Sequence, residues 1–262
     1  MELIRSQDNE RLKAVMALAQ EKKVRQARHQ LLLDGWKLCK DALDNHCPVE
    51  QLWLTQEALE KEPELAQQLM DATAETYVIR DSAANKLSQL KTPQGVWAVV
   101  PIPKEPEPSW WTEGRRYLVL VDVQNPENVG ACIRTAAALG YDGAVLTGEC
   151  GDVWSPRAIR AAAGSSLVFP IAVYSDPGEA LGRLRDSGVQ LFATALDERA
   201  TSLKEVIAPK RLALLIGNEG HGIGTQWLQM CDQTLYLPMP SGINSLNAHA
   251  AAAIFLWELN KQ

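Results

Sequence analysis

Residues 117–140 read Tyr117-Leu-Val-Leu-Val-Asp-Val123-Gln-Asn125-Pro-Glu-Asn128-Val-Gly130-Ala-Cys-Ile-Arg134-Thr-Ala-Ala-Ala-Leu-Gly140. The opening run is apolar at nearly every position, the pattern of a parallel strand covered on both faces. A turn signal at Asn125-Pro126 follows, and then an apolar, alanine-rich helix that Asn128 is placed to cap. Gly130 lets another backbone approach that helix closely. A buried strand leading into a helix is the unit of a doubly covered α/β sheet. The unit recurs downstream, with strands expected at 143–147, 166–173, 189–194 and 211–216 and helical patterns between them. A closing helix is expected from about Asn244 to Leu259. In such sheets ligands lie in the loops beyond the strand C-termini, so those loops are where chemistry is sought.

Toward the N-terminus the pattern is interrupted by Pro101-Ile-Pro-Lys-Glu-Pro-Glu-Pro108, four prolines in eight residues. This reads as an extended, semi-rigid linker. The expected organisation is a first domain over 1–105, a linker over 106–115 and a second domain over 116–262. The first domain opens with helical periodicity from about Asn9 to Leu32 and a second helix from Trp36 to Leu43. Short apolar segments at 51–55, 76–79 and 95–100 read as strands, with Asp81 and Ser82 offering N-caps to an intervening helix. Strands alternating with helices predict a small α/β sandwich.

With 262 residues, 46% hydrophobic and 22% charged, the chain has the composition of a globular protein of about two domains. No stretch approaches the ~20 apolar residues of a membrane span, and the N-terminus lacks the apolar core of a secretory signal. Five cysteines (39, 47, 132, 150 and 231) form no CxxC pair, which points to a reducing cytoplasm and not to a disulfide framework. The net charge of −6 is unevenly spread: residues 1–40 carry nine Lys and Arg against five acids. Arg11, Lys13, Lys22, Lys23, Arg25 and Arg28 are opposed within their span only by Glu21. They form either a solvated helix face or a surface for phosphates.

Three loop segments carry candidate chemistry. In the first, Arg134 lies six residues after Asn128 in an otherwise apolar helix, where a buried or half-buried guanidinium needs an anionic partner, from a ligand or from the protein itself. The second, Gly217-Asn-Glu219-Gly220-His-Gly222-Ile-Gly224, places four glycines in eight residues at a strand end. It fits neither a dinucleotide fingerprint nor a P-loop, yet Glu219 could receive polar groups of a ligand lying on bare backbone. The third runs from Leu235-Tyr-Leu237-Pro-Met239 through a turn into Asn244, Ser245, Leu246 and Asn247, clustering polar groups at a helix entrance. Ser245 and His249 share a helical face, but no acid follows to orient the histidine as in a hydrolase triad. No His and Cys spacing marks a metal site.

Together these segments resemble the three motifs of the SpoU family of RNA 2′-O-ribose methyltransferases, within the knotted SPOUT superfamily. Asn128, Arg134 and Gly140 match the first motif, residues 217–222 the second, and 237–239 with 245–247 the third. The N-terminal segments Ser6-x2-Asn9-x-Arg-Leu-Lys13, Leu33-x-Gly35 and Thr92-Pro-Gln-Gly95 resemble a ribosomal-protein-like RNA-binding domain that precedes many members. One departure stands out: many relatives have Val-Ser where this chain has Ala248-His249. The resemblance implies a trefoil knot, S-adenosylmethionine as methyl donor, no metal, and a homodimer formed through the second domain. It implies catalytic roles for Asn128, Arg134, Glu219, Ser245 and Asn247. It also implies a cofactor site around Ala195, Leu196, Ile216, Gly217, Leu237, Met239 and Leu246. Ribosomal RNA is the expected substrate. The alternatives are transfer RNA, or a non-catalytic RNA-binding or ribosome-assembly protein of the same fold.

Overall fold

The computed structural model describes residues 1–4, 6, 8–195, 200–240 and 246–261. The first elements in chain order are β1 (Glu2–Ile4), α1 (Glu10–Gln20), α2 (Lys22–Arg28), β2 (Gln30–Asp34), α3 (Trp36–Asp44), β3 (Val49–Thr55), α4 (Gln56–Lys61) and α5 (Pro63–Asp71). Next come β4 (Thr73–Ile79), α6 (Asp81–Leu87), β5 (Val96–Pro101), α7 (Pro108–Glu113), β6 (Arg116–Val121), α8 (Pro126–Ala138), β7 (Gly143–Thr147) and α9 (Pro156–Ala161). The remainder comprises β8 (Ile171–Tyr174), α10 (Pro177–Asp186), β9 (Gln190–Thr194), β10 (Thr201–Ser202), β11 (Leu212–Ile216), α11 (Thr225–Leu228), β12 (Gln233–Tyr236) and α12 (Ala248–Asn260). Packing divides the chain into two compact units, 1–103 with 154–168, and 104–153 with 169–262.

The first unit is built on a five-stranded sheet in the order β1-β4-β3-β5-β2. β1, β4 and β3 run parallel, and β5 is antiparallel to both β3 and β2. Side chains alternate across it as the period of two requires. Leu31, Leu33, Leu52, Leu54, Val96 and Ala98 pack into one apolar cluster, while Leu32, Trp53, Trp97 and Val99 pack into another. Helices cover both, giving the expected α/β sandwich. Ile159 and Leu167 complete the first cluster, which is why segment 154–168, expected in the second domain, belongs to this unit.

Two expectations for this unit need correction. The long helix from Asn9 does not reach Leu32. It breaks at Glu21, resumes as α2, and stops at His29 in the left-handed conformation, φ 51°. Leu31 and Leu32 fit a helical period locally, but their pairing with Val100 and Val99 of β5 makes them strand. α6 begins at Asp81 itself with Arg80 in the cap position, so Asp81 and Ser82 are first-turn residues, not caps.

The second unit holds a seven-stranded, wholly parallel sheet in the order β10-β12-β9-β11-β6-β7-β8. Tyr117 to Val121 and Leu212 to Leu215 are fully buried, as their unbroken apolar runs predict. The linker is not extended throughout: Pro108 occupies the first turn of α7, where its missing N–H costs nothing. α7 is anchored by Trp110, whose Nε1 donates to Asp142 O, and by Tyr117, whose hydroxyl donates to Trp110 O. The expected strand over 166–173 starts instead as a 3-10 turn at Ser165–Leu167. Only Ile171–Tyr174 pairs with β7. The closing helix, expected from Asn244, is described from Ala248; Asn244 and Ser245 lie outside the described residues.

Candidate active site

A cavity opens at the C-terminal ends of parallel strands, the place in such a sheet where a ligand is expected. β12, β9 and β11 are neighbours in the sheet, and the residues ending them surround a cavity of about 570 Å³. Ala195 stands at the end of β9, Ile216 and Gly217 at the end of β11, and Leu237 and Met239 beyond β12; Leu246 comes from the approach to α12. All six of these expected cofactor residues line the cavity, whereas Leu196 lies outside the described residues. Thr194, Leu235, Ala251 and Phe255 also line it and were not anticipated; Ala248, where the chain departs from the family pattern, lines it too. The 248, 251, 255 spacing is one face of a helix and was legible as such.

The glycine loop is held open by its own backbone. Asn218 N donates to Gly222 O at 3.1 Å, and Gly222 N donates to Asn218 O at 3.0 Å. The Asn218 side chain accepts from Gly220 N at 2.7 Å and donates to Asp122 O at 2.8 Å, pinning the loop to the end of β6. Sequence reasoning passed over Asn218 in favour of its neighbour Glu219. A Cβ on Gly217 would lie 2.5 Å from the carbonyl carbon of Gly222 and 2.7 Å from Ile223 N. Close approach of two backbone segments therefore requires glycine there.

The three motifs meet through side chains. Asn128 is not the cap of α8: Asn125 fills that place, accepting from Glu127 N. Asn128 is buried one turn inside the helix, and its amide reaches sideways. Its Nδ2 donates to Glu219 Oε1 at 2.7 Å, and its Oδ1 accepts from Asn247 Nδ2 at 3.1 Å. Asn247 in turn caps α12, accepting from His249 N and Ala250 N. A continuous chain, Glu219–Asn128–Asn247, thus joins the second motif to the first and the first to the third. Ser245, the remaining expected member, lies outside the described residues.

Arg134 is exposed, not buried or half-buried as its apolar surroundings implied. Its guanidinium makes no hydrogen bond or ion pair among the described residues, so no protein acid consumes its charge. Burial pushes the Cys132 thiol of the same helix up to about 12 and that of Cys150 up to about 11. Neither offers a thiolate near neutral pH. Among the described residues no group of three His, Cys, Asp or Glu is placed to hold a metal.

The basic surface of the first unit is smaller than its sequence suggests. Arg25 is buried, and its Nη1 donates to Leu18 O at 2.6 Å. It satisfies an end carbonyl of α1, a helix with no basic residue in its own last turn. Arg25 is therefore removed from the RNA-facing set. Arg11 pairs with Glu2 at 2.6 Å and stacks over Tyr77, and Lys13 pairs with Glu10 at 3.3 Å. Lys22, Lys23 and Arg28 are exposed and form no ion pair among the described residues.

Residues 115–257 match the model of the SpoU rRNA Methylase family, and residues 9–98 match the MRM3-like substrate binding domain. The 23S rRNA (guanosine(2553)-2′-O)-methyltransferase RlmP of Bacillus subtilis is 30% identical over 99% of both chains. An AdoMet-bound rRNA methyltransferase from Sinorhizobium meliloti superposes with a TM-score of 0.86, at 26% identity over 99% of this chain and 97% of that one. The SpoU methyltransferase AviRb from Streptomyces viridochromogenes, in complex with AdoMet, superposes at 0.84, with 26% identity over 97% of each chain. The motifs, the parallel sheet and the full-length similarity agree, and the chain belongs to the SpoU rRNA methylase family.

Proposed function

We propose that this protein methylates a ribose 2′-hydroxyl of ribosomal RNA, with S-adenosylmethionine as methyl donor. The observation that carries the reading is the Glu219–Asn128–Asn247 chain beside the strand-end cavity. The cavity fits the donor: its volume is in the range of small-molecule sites. Ile216, Leu237, Met239 and Phe255 offer apolar walls for a purine, and the glycine loop offers backbone groups for polar edges. When bound, the donor supplies an electrophilic methyl group on a sulfonium.

The remaining work falls to the chain's own residues. A ribose hydroxyl is a very weak acid and must lose its proton as its oxygen attacks. An exposed arginine on α8, the helix that carries Asn128, suits an RNA phosphate next to the target ribose. With a pKa above ~12 a guanidinium is a poor base, so Arg134 acts by positioning and by stabilising the developing oxyanion. Asn128 orients Glu219 and Asn247, whose polar groups are the candidates to contact the ribose; the family motif adds Ser245 to them.

Ribosomal RNA is favoured over transfer RNA because the RlmP similarity spans the whole chain, including its substrate-binding domain. The relative named as a tRNA (guanosine(18)-2′-O)-methyltransferase aligns with only 53% of this chain. Such a substrate places the enzyme in the cytoplasm. Among the described residues no helix is long and apolar enough to cross a membrane. We further infer the trefoil knot of the superfamily and a homodimer formed through α12, where Ile254 and Trp257 are 40% and 54% exposed. Sedimentation of the wild type against Trp257→Glu tests the dimer; a monomeric wild type refutes it.

Two measurements test the main reading. Thermal melting with and without S-adenosylmethionine should show a clear upward shift. Ribosomal RNA from a deletion strain, analysed by mass spectrometry, should lack one ribose methyl group. A base methyl missing instead, or no change in ribosomal RNA, overturns the assignment.

A further inference from the structure

The departure at Ala248-His249 puts an imidazole on a helix whose neighbouring residues are alanine and large apolar side chains. We propose that His249, bonded to Thr135, is a positioning residue that holds the turn of α8 carrying Arg134; the proposal rests on the ribose-methylation reading above. His249 Nε2 lies 3.0 Å from Thr135 Oγ1. A hydroxyl can donate or accept, so this bond forms with either imidazole tautomer. The cavity is lined by Ala248, Ala251 and Phe255 of the same helix but not by His249. The imidazole therefore serves α8 and not the donor pocket.

The helical geometry explains why a second tie matters. Thr135 follows Asn128 by seven residues, close to two full turns, so both side chains leave α8 on the same side about 10 Å apart. The first turn of α12 grips that side at two heights, through Asn247 on Asn128 and His249 on Thr135. Asn260 Nδ2 also donates to Leu139 O at the C-cap of α8, at 2.8 Å, so of these three bonds from α12 the one at Thr135 is the nearest to Arg134. Arg134 is adjacent to the second tie and has no protein partner of its own among the described residues. The roll of α8 therefore sets where the base of its side chain starts and which region the guanidinium can reach. Displacements of about 1 Å at a reacting centre cost up to ~100-fold in rate.

The test uses the full-length protein, saturating S-adenosylmethionine and the mapped RNA. Thr135→Val keeps the shape of the side chain and removes the hydroxyl; His249→Ala removes the other partner. Each should lower kcat by about 10- to 100-fold, with the Kd for S-adenosylmethionine and the KM for RNA within about twofold. The double variant should be no slower than the worse single one. Thr135→Ser and His249→Gln, which restore a polar partner, should recover kcat to within a few fold. If Thr135→Val retains wild-type kcat, or if the loss appears in the Kd for S-adenosylmethionine instead, the positioning role is overturned. A wild-type protein that transfers no methyl to ribose overturns the functional reading itself, and this inference with it.

Discussion

The pairing of Asn128 with Glu219 is the contact on which the site's assembly can be measured. Asn128→Ala removes a hydrogen bond to a carboxylate at 2.7 Å and one from Asn247 at 3.1 Å. In a shielded site such bonds contribute ~1.5–3 and ~1 kcal/mol respectively. Glu219 and Asn247 are both exposed, however, so water replaces much of what they lose. The expected net loss of stability is about 1–2 kcal/mol. Glu219→Gln keeps an oxygen that can accept from Asn128 and should stay near wild-type stability, whereas Glu219→Ala should not. Since the two alanine substitutions break one shared bond, a double-mutant cycle in denaturant unfolding should give a coupling of ~0.5–2 kcal/mol. Methyl-transfer rates should show the same pattern, with Asn128→Ala falling at least about tenfold and the double variant no slower than the worse single one. Additivity within ~0.5 kcal/mol, together with rates that simply multiply, would refute the idea that the motifs act as one bonded unit.

Four further outcomes follow from the same geometry. Gly217→Ala should cost ~1–3 kcal/mol in thermal melts and weaken S-adenosylmethionine binding more than tenfold by calorimetry, since its Cβ meets the backbone of Gly222 and Ile223 as well as the Ile223 side chain; unchanged affinity would count against the loop as a cofactor wall. Arg134→Ala, at an exposed position, should leave stability within ~0.5 kcal/mol and cofactor affinity within a few fold while abolishing transfer; equal loss of affinity and turnover would contradict its RNA-side role. Neutralising Lys22, Lys23 and Arg28 together should flatten the plot of log K against log salt by ~0.7–0.9 for each phosphate no longer neutralised, and an unchanged slope would make α2 a plain solvated face. Cys132 and Cys150, with thiols near 12 and 11, hold at most ~0.1% thiolate at pH 8 and should resist alkylation until the protein is unfolded; rapid labelling of either one in the native protein, located by peptide mapping, would refute that shielding.

The parts of the fold that are legible in the sequence are those whose signal is local. β6, β7, β9 and β11 each contain at least three consecutive apolar residues, and such runs announce a doubly covered strand whatever their partners. β2 is hidden because Leu31 and Leu32 satisfy a helical period with Ala27, and only pairing with β5, some seventy residues away, decides against it. Arg25 misleads for a related reason. A guanidinium in a basic stretch looks exposed until the break at Glu21 folds it back onto an unsatisfied carbonyl. Asn128 looks like a cap because asparagine near a helix start usually is one; Asn125 holds that place and frees Asn128 for the site. The motifs identify which residues belong to the site, and the amide chain through Asn128 identifies how they are connected.

The charge distribution resolves in the same way, and it limits how this protein can hold RNA. The basic excess of residues 1–40 suggests a broad phosphate-binding surface. Most of it is already engaged: Arg11 with Glu2, Lys13 with Glu10, Lys37 with Asp41, Lys40 with Asp44, and Arg25 with a helix end. Lys22, Lys23 and Arg28 are the exposed cations of α2 that remain, and Arg134 is a fourth in the other unit. Three phosphates neutralised by α2 would contribute a salt slope of roughly −2 to −3. An overall charge of −6 also repels RNA at long range. Shape and unpaired bases of a folded RNA, which is how proteins generally read RNA, then complement the charge of α2.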